Sequence, residues 1–178
     1  PHPSDWRHAP GSEHNAHGVT ATLRRATVAD VFSLEYPSEA HFVGYALVRD
    51  GAVADAQPRI AKDALPWLHA QGFDVVLTCL LADWDTPGHV EWTPELRAHF
   101  DARWAEGRGP FATCGVYLSP RGVRVVQPLE TPLPVEEGEA RLRVWLESLV
   151  EAGADPSVRD AKDWTRLMRA ANYTRRVA

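Results

Sequence analysis

Apolar positions along the chain fall into two spacings, and the spacing decides the element. From Val75 to Ala82 the residues Val75, Val76, Leu77, Cys79, Leu80, Leu81 and Ala82 form a short apolar run, β-branched at its start and closed by Thr86-Pro87-Gly88. Such a run bounded by turn residues predicts a buried strand. From Thr93 to Glu106 the apolar side chains Leu96, Phe100 and Trp104 recur every four residues. That spacing predicts a helix with one buried face, with Thr93 as N-cap, Pro94 at its first position and Gly107 beyond its end. Glu139 to Ala152 is a second amphipathic helix, carrying Leu142, Trp145, Leu146, Leu149 and Val150 and ending at Gly153. Asp63 to Gln71 reads as a shorter helix capped by Asp63 and stopped at Gly72.

Two hairpins follow from turn chemistry. Phe42 to Ile60 folds back at Asp50-Gly51, a dipeptide suited to a two-residue β-turn. Ala112 to Leu129 folds back at Ser119-Pro120-Arg121-Gly122, where Pro and Gly suit a type I turn. Thr20 to Arg25 is a short strand or the opening of a helix, and the Pro-rich residues 130–138 read as a link. Residues 1–18 place His2, His8, His14 and His17 among Pro, Gly, Ser and Asn without the spacing of a zinc site. They are expected to form a flexible arm ahead of one domain spanning 19–178.

Composition narrows the class. A chain of 178 residues, 44% hydrophobic and 24% charged, suits a single globular domain with a real core. No apolar stretch approaches the roughly 20 residues of a membrane span, and the first residues lack the apolar segment of a signal peptide. Cys79 and Cys114 lie in predicted strands without metal-ligand spacing, as buried thiols in a reducing cytoplasm would. The net charge of −5 argues against coating nucleic acid by bulk charge. The 17 arginines against two lysines still favour local, bidentate phosphate contacts.

Three segments carry candidate chemistry. Residues two apart on a strand share a face, so Asp83 and Asp85 project together while Trp84 turns the other way. Adjacent carboxylates repel unless a proton or a cation sits between them, which makes the pair a candidate Mg²⁺ or Mn²⁺ site; the plainer account is a solvated acidic turn. The second hairpin gathers Ser119, Arg121 and Arg124 as candidate phosphate ligands. The tail places Asp160 and Asp163 just before Arg166 and Arg169.

A strand-borne DxD, a Ser/Gly/Arg hairpin and a later Asp with downstream arginines stand in one order, and that order resembles the archaeo-eukaryotic primase superfamily over roughly residues 40–175. The resemblance implies an α/β (α+β) primase-polymerase fold, with an RNA-recognition-like catalytic half packed on an N-terminal αβ module. It further implies a DNA primase/polymerase-type nucleotidyltransferase joining (d)NTPs on a single-stranded DNA template by two-metal catalysis. Asp83, Asp85 and Asp163 would be catalytic and would hold two Mg²⁺ or Mn²⁺ ions. Ser119, Arg121 and Arg124 would grip the triphosphate, joined by Arg166 and Arg169 on nucleotide or template phosphates. A helicase or other replication module would be a further partner. The His of the family's second motif is absent, and Arg124 stands nearest its place; Arg binds phosphate but does no proton chemistry near neutral pH. Three other readings stand beside this one: a degenerate primase-fold module that binds nucleotide or nucleic acid without catalysis; a metal-dependent nuclease, with Lys162 beside Asp163; and an interaction protein built on a tail that resembles part of an ankyrin repeat, of which no second copy exists upstream.

Overall fold

The structure, a computed structural model, describes residues 22–33, 41–60, 62–86, 88, 90–105, 112–119 and 121–171. The histidines of the N-terminal arm lie outside them. The fold is mixed α+β, organised on a five-stranded antiparallel sheet. Its strands are β3 (Tyr45–Arg49), β4 (Ala52–Val53), β6 (Asp74–Asp85), β7 (Gly115–Ser119) and β8 (Gly122–Pro134), in the order β4-β3-β6-β8-β7. Two ribbons flank it: β1 (Thr22–Arg24) pairs with β5 (Ala56–Pro58), and β2 (His41–Phe42) pairs with β9 (Met168–Arg169).

Both hairpins form where the turn residues place them. Val48 pairs with Val53 and Arg49 with Ala52, leaving Asp50-Gly51 as a two-residue turn with φ of 52° and 76°. Positive φ at both positions matches the right-handed twist of the strands, and Asp-Gly meets that requirement at low cost. In the second hairpin Ser119 pairs directly with Gly122.

The inner face of the sheet carries the main core. Helices α2 (Leu65–Ala70), α3 (Pro94–Ala105) and α4 (Val135–Glu151) and a 3₁₀ helix over Pro156–Lys162 contribute Leu68, Phe100, Leu142, Leu146, Leu149 and Val158 to it. From the sheet come Leu47, Val75, Leu77, Leu80, Ala82, Trp84, Val123 and Val125. The outer face carries a smaller cluster, in which Cys79, Leu81, Val126 and Met168 pack with Phe32, Phe42 and Tyr117. Phe32 comes from α1 (Val28–Ser33), a helix of six residues. Its start is held reciprocally: the Asp30 carboxylate accepts from Thr27 N–H at 2.7 Å, and Thr27 Oγ1 accepts from Asp30 N–H at 3.1 Å.

Strand β6 changes the face it buries partway along. The Gly44 carbonyl accepts from both Thr78 N–H (2.8 Å) and Cys79 N–H (3.3 Å), a β-bulge. Before it, Val75 and Leu77 face the inner core; after it, Leu80, Ala82 and Trp84 do. On the opposite edge, β8 pairs Leu133 with Leu77 and Pro128 with Cys79, so residues 129–132 together stand opposite Thr78.

Three boundaries differ from the pattern-based reading. The supposed link over 130–138 belongs to β8 and the first turn of α4, which starts at Val135 rather than Glu139. Pairing with β7 ends at Val126, so beyond that point β8 has a strand on one side only, where proline is tolerated. The short helix opens as a 3₁₀ turn over Lys62–Ala64, and its N-cap is Ala64 rather than Asp63. The ankyrin-like tail forms the 3₁₀ helix, a turn and β9, which pairs with β2.

Candidate functional site

Sheet register assembles the outer-face site row by row. Asp85 on β6, Gly122 on β8 and Ser119 on β7 lie side by side across three strands; one step along, Asp83, Arg124 and Tyr117 do the same. Alternation puts both rows on the outer face, since the intervening Trp84 and Val123 are core residues. At the centre of the first row there is no side chain. A Cβ on Gly122 would come within 2.3 Å of the Trp84 carbonyl oxygen and 2.8 Å of Asp85 Cα, so the close approach of the two strands requires glycine.

The turn is clamped from the α3 side. Trp92 Nε1 donates to the Ser119 carbonyl at 2.9 Å, and Thr86 N–H donates to the Arg121 carbonyl at 2.8 Å. Trp92 in turn packs on Phe100, which stands edge-on to Trp84 with ring centroids 5.6 Å apart. The hairpin that carries Ser119 and Arg124 is thus braced by the same core that holds the DxD strand.

Asp83 is the electrostatic centre. Its side chain is only 12% exposed and forms an ion pair with Arg124, its direct cross-strand partner. A second guanidinium arrives from the tail, where Arg166 Nη2 donates to Asp83 Oδ2 at 3.2 Å. A carboxylate this far from water needs such partners, because an unpaired buried charge is strongly destabilising. Two guanidinium groups against one carboxylate leave a local surplus of positive charge, offset in part by Asp85 in the next row.

Of the residues singled out from sequence, Asp83, Arg124 and Arg166 are in contact, and Asp85 and Ser119 lie in the adjoining row. Arg121 is exposed at the turn. Arg169 is exposed on β9, and its carbonyl accepts from the Tyr117 hydroxyl. Asp163 ends the 3₁₀ helix; its Oδ1 accepts from Thr165 N–H (3.0 Å) and Thr165 Oγ1 (2.8 Å), and its carbonyl from Arg166 N–H (3.1 Å). Its charge is felt at Tyr45, on the inner side of β3. Among the described residues no group of three or more His, Cys, Asp or Glu is arranged to hold a metal ion; Arg166 links the two acids, its N–H on the Asp163 carbonyl and its Nη2 on Asp83. Asp83 and Asp85, two hard oxygen donors on one face, fit a single divalent cation.

Tyr117 and Gly122 were not singled out as site residues from sequence. Drawing the hairpin register outward from Ser119–Gly122 exposes both, because GVYLS alternates and puts Tyr117 on the same face as Ser119.

Compared with family models, with curated proteins and with solved structures, the chain gives no match. No helix among the described residues is long and apolar enough to cross a membrane.

Proposed function

We propose that the protein is a nucleotidyltransferase of the primase-polymerase type, joining (d)NTPs on a single-stranded DNA template. The observation that carries this reading is the meeting of three distant segments at Asp83: the DxD strand, the Ser/Arg hairpin through Arg124 and the DWTRLMR tail through Arg166. Their order along the chain is that of the primase-like motifs, and their chemistry is that of a phosphate site.

In this reading Arg124 and Arg166 bind the triphosphate, each presenting a planar fork to phosphate oxygens. Arg124 sits on the braced hairpin, so the charge that gathers on the phosphates in the transition state meets a donor already in place. Ser119 adds a hydroxyl in the row beside them, and Arg121 and Arg169, exposed on either side, contact further nucleotide or template phosphates. Asp83 and Asp85 would hold Mg²⁺ or Mn²⁺, with Asp163, whose carboxylate is taken by Thr165, outside that pair; such an ion would lower the pKa of an attacking hydroxyl and neutralise charge on the leaving pyrophosphate.

The test is primer extension and de novo dinucleotide synthesis with Mn²⁺, wild type against Asp85→Ala. The expected result is synthesis by wild type and none by the variant; no synthesis by wild type overturns the reading. A second reading, a module that binds nucleotide or nucleic acid without catalysis, is favoured by two features: Asp83 is neutralised by two guanidinium groups, and Asp163 is turned onto Thr165. It predicts nucleotide binding that survives Asp85→Ala and no synthesis under any metal.

A further inference from the structure

The outer face holds a second concave feature, set apart from Asp83. A cavity of about 540 Å³ opens beside the Thr78 bulge, between the residues that begin α1, strand β3 and Pro132 of β8. Its walls are mostly apolar, with Val31, Ala46, Val126 and Phe42 among them. This size and apolar character are those of a small-molecule pocket.

Polar groups also line it, Thr27 and Thr78 among them. Gln57 lines the cavity and is only 7% exposed. Its Oε1 accepts from Leu47 N–H at 2.8 Å, which fixes the amide orientation. Among the described residues no hydrogen bond uses its Nε2. That amide donor is not sealed away from solvent, so an acceptor brought by a ligand can take the place of water on it. Arg25, exposed, and His41 also line the cavity and add donors. The site therefore asks for a molecule with a mostly apolar ring, a carbonyl edge and an anionic group. Cys79, in the cavity wall, and Asp83 lie on the same face of β6, four residues and about 13 Å apart.

We propose that this cavity binds one nucleotide unit, free or within a strand, with a base carbonyl on Gln57 Nε2 and its phosphate at Arg25 and His41. The choice of a nucleotide over other carbonyl-bearing anions rests on the function proposed above; the donor-lined cavity does not. The test titrates the full chain, without divalent metal, with thymidine monophosphate and separately with an oligothymidylate. Wild type is compared with Gln57→Glu, which keeps the acceptor for Leu47 and removes the donor, and with Arg25→Gln and Arg124→Gln. The expected result is cavity binding about fivefold weaker in Gln57→Glu and in Arg25→Gln, the scale of one lost hydrogen bond, while Arg124→Gln weakens only the separate phosphate site at Asp83. Binding of the mononucleotide identifies a free nucleotide as the ligand, and binding of the oligomer alone identifies a strand. Adenosine monophosphate, whose base has no carbonyl, binds several-fold more weakly than thymidine monophosphate. Arg25 is exposed, so Arg25→Gln carries the test if Gln57→Glu fails to fold. No binding by wild type, equal affinity in both cavity variants, or loss confined to Arg124→Gln overturns the proposal; the last of these leaves the nucleotidyltransferase reading intact.

Discussion

Asp83 and Arg124 face each other directly across β6 and β8, and their ion pair is the only one among the described residues in which both side chains are less than a quarter exposed. Removing one partner leaves the other charge in a poorly solvated place, which costs more than the pair itself contributes. Arg124→Ala is expected to lower stability by about 2–4 kcal/mol, with Arg166 limiting the loss. Urea unfolding checks this, and the double variant with Asp83→Ala recovers part of it. Additive losses would mean the two groups are not coupled.

Arg166 offers a cleaner handle on the site than Arg124, because it comes from the tail and is 35% exposed. Arg166→Gln leaves Asp83 with one cation instead of two. Mn²⁺ binding to the free protein, followed by electron paramagnetic resonance, is expected to tighten several-fold, and triphosphate binding to weaken. An unchanged Mn²⁺ affinity would remove Asp83 from the metal site.

Gly122→Ala tests the empty centre of the site. The added methyl has no flexible neighbour to displace, since the groups within 3 Å are the backbone of Trp84 and Asp85. Backbone shift on this scale typically costs about 1–3 kcal/mol, read as a lower thermal midpoint. Phosphate binding is expected to fall with it, because the rows on either side separate.

Alkaline pH should destabilise the fold through Tyr45. Burial pushes its phenol up from 10.0 to about 12, against a smaller lowering from the Ile60 N–H that its oxygen accepts. The folded state therefore keeps a proton that the unfolded chain loses. Stability from this group is fully present below pH 10 and is lost as pH rises from about 10 to 12, by up to roughly 2–3 kcal/mol. Cys79, whose thiol burial raises to about 12, acts in the same direction from pH 9 upward. Urea midpoints measured across pH 9–12 are expected to fall, with a flatter slope in Tyr45→Phe.

The short-range parts of this architecture were readable from sequence. Asp-Gly at 50–51 and Ser-Pro-Arg-Gly at 119–122 specify their turns locally, and Thr93 caps its helix as its position suggests, accepting from Leu96 N–H at 3.2 Å. Asp83 and Asp85 face away from Trp84 as alternation requires. What escaped depends on partners far along the chain. Prolines 132 and 134 look like a linker until one sees that β8 has lost its β7 neighbour there. Arg166 reaches Asp83 across 83 residues, and no local pattern encodes that contact. Asp163 is the opposite case, since its carboxylate accepts from Thr165 at a range of only two residues.

The bulge at Thr78 has an effect well beyond its own position. In an unbroken strand every odd-numbered residue from Val75 onward would share one side, so Asp83 and Asp85 would be driven into the oily interior and the Trp84 indole turned out to water. One surplus residue, five positions upstream of the first acid, reverses that parity for everything after it. Whether this protein displays its charged groups or entombs them is therefore decided at Thr78 and the Gly44 carbonyl, and a single-residue deletion there would turn the site inside out while leaving each of its side chains in the sequence.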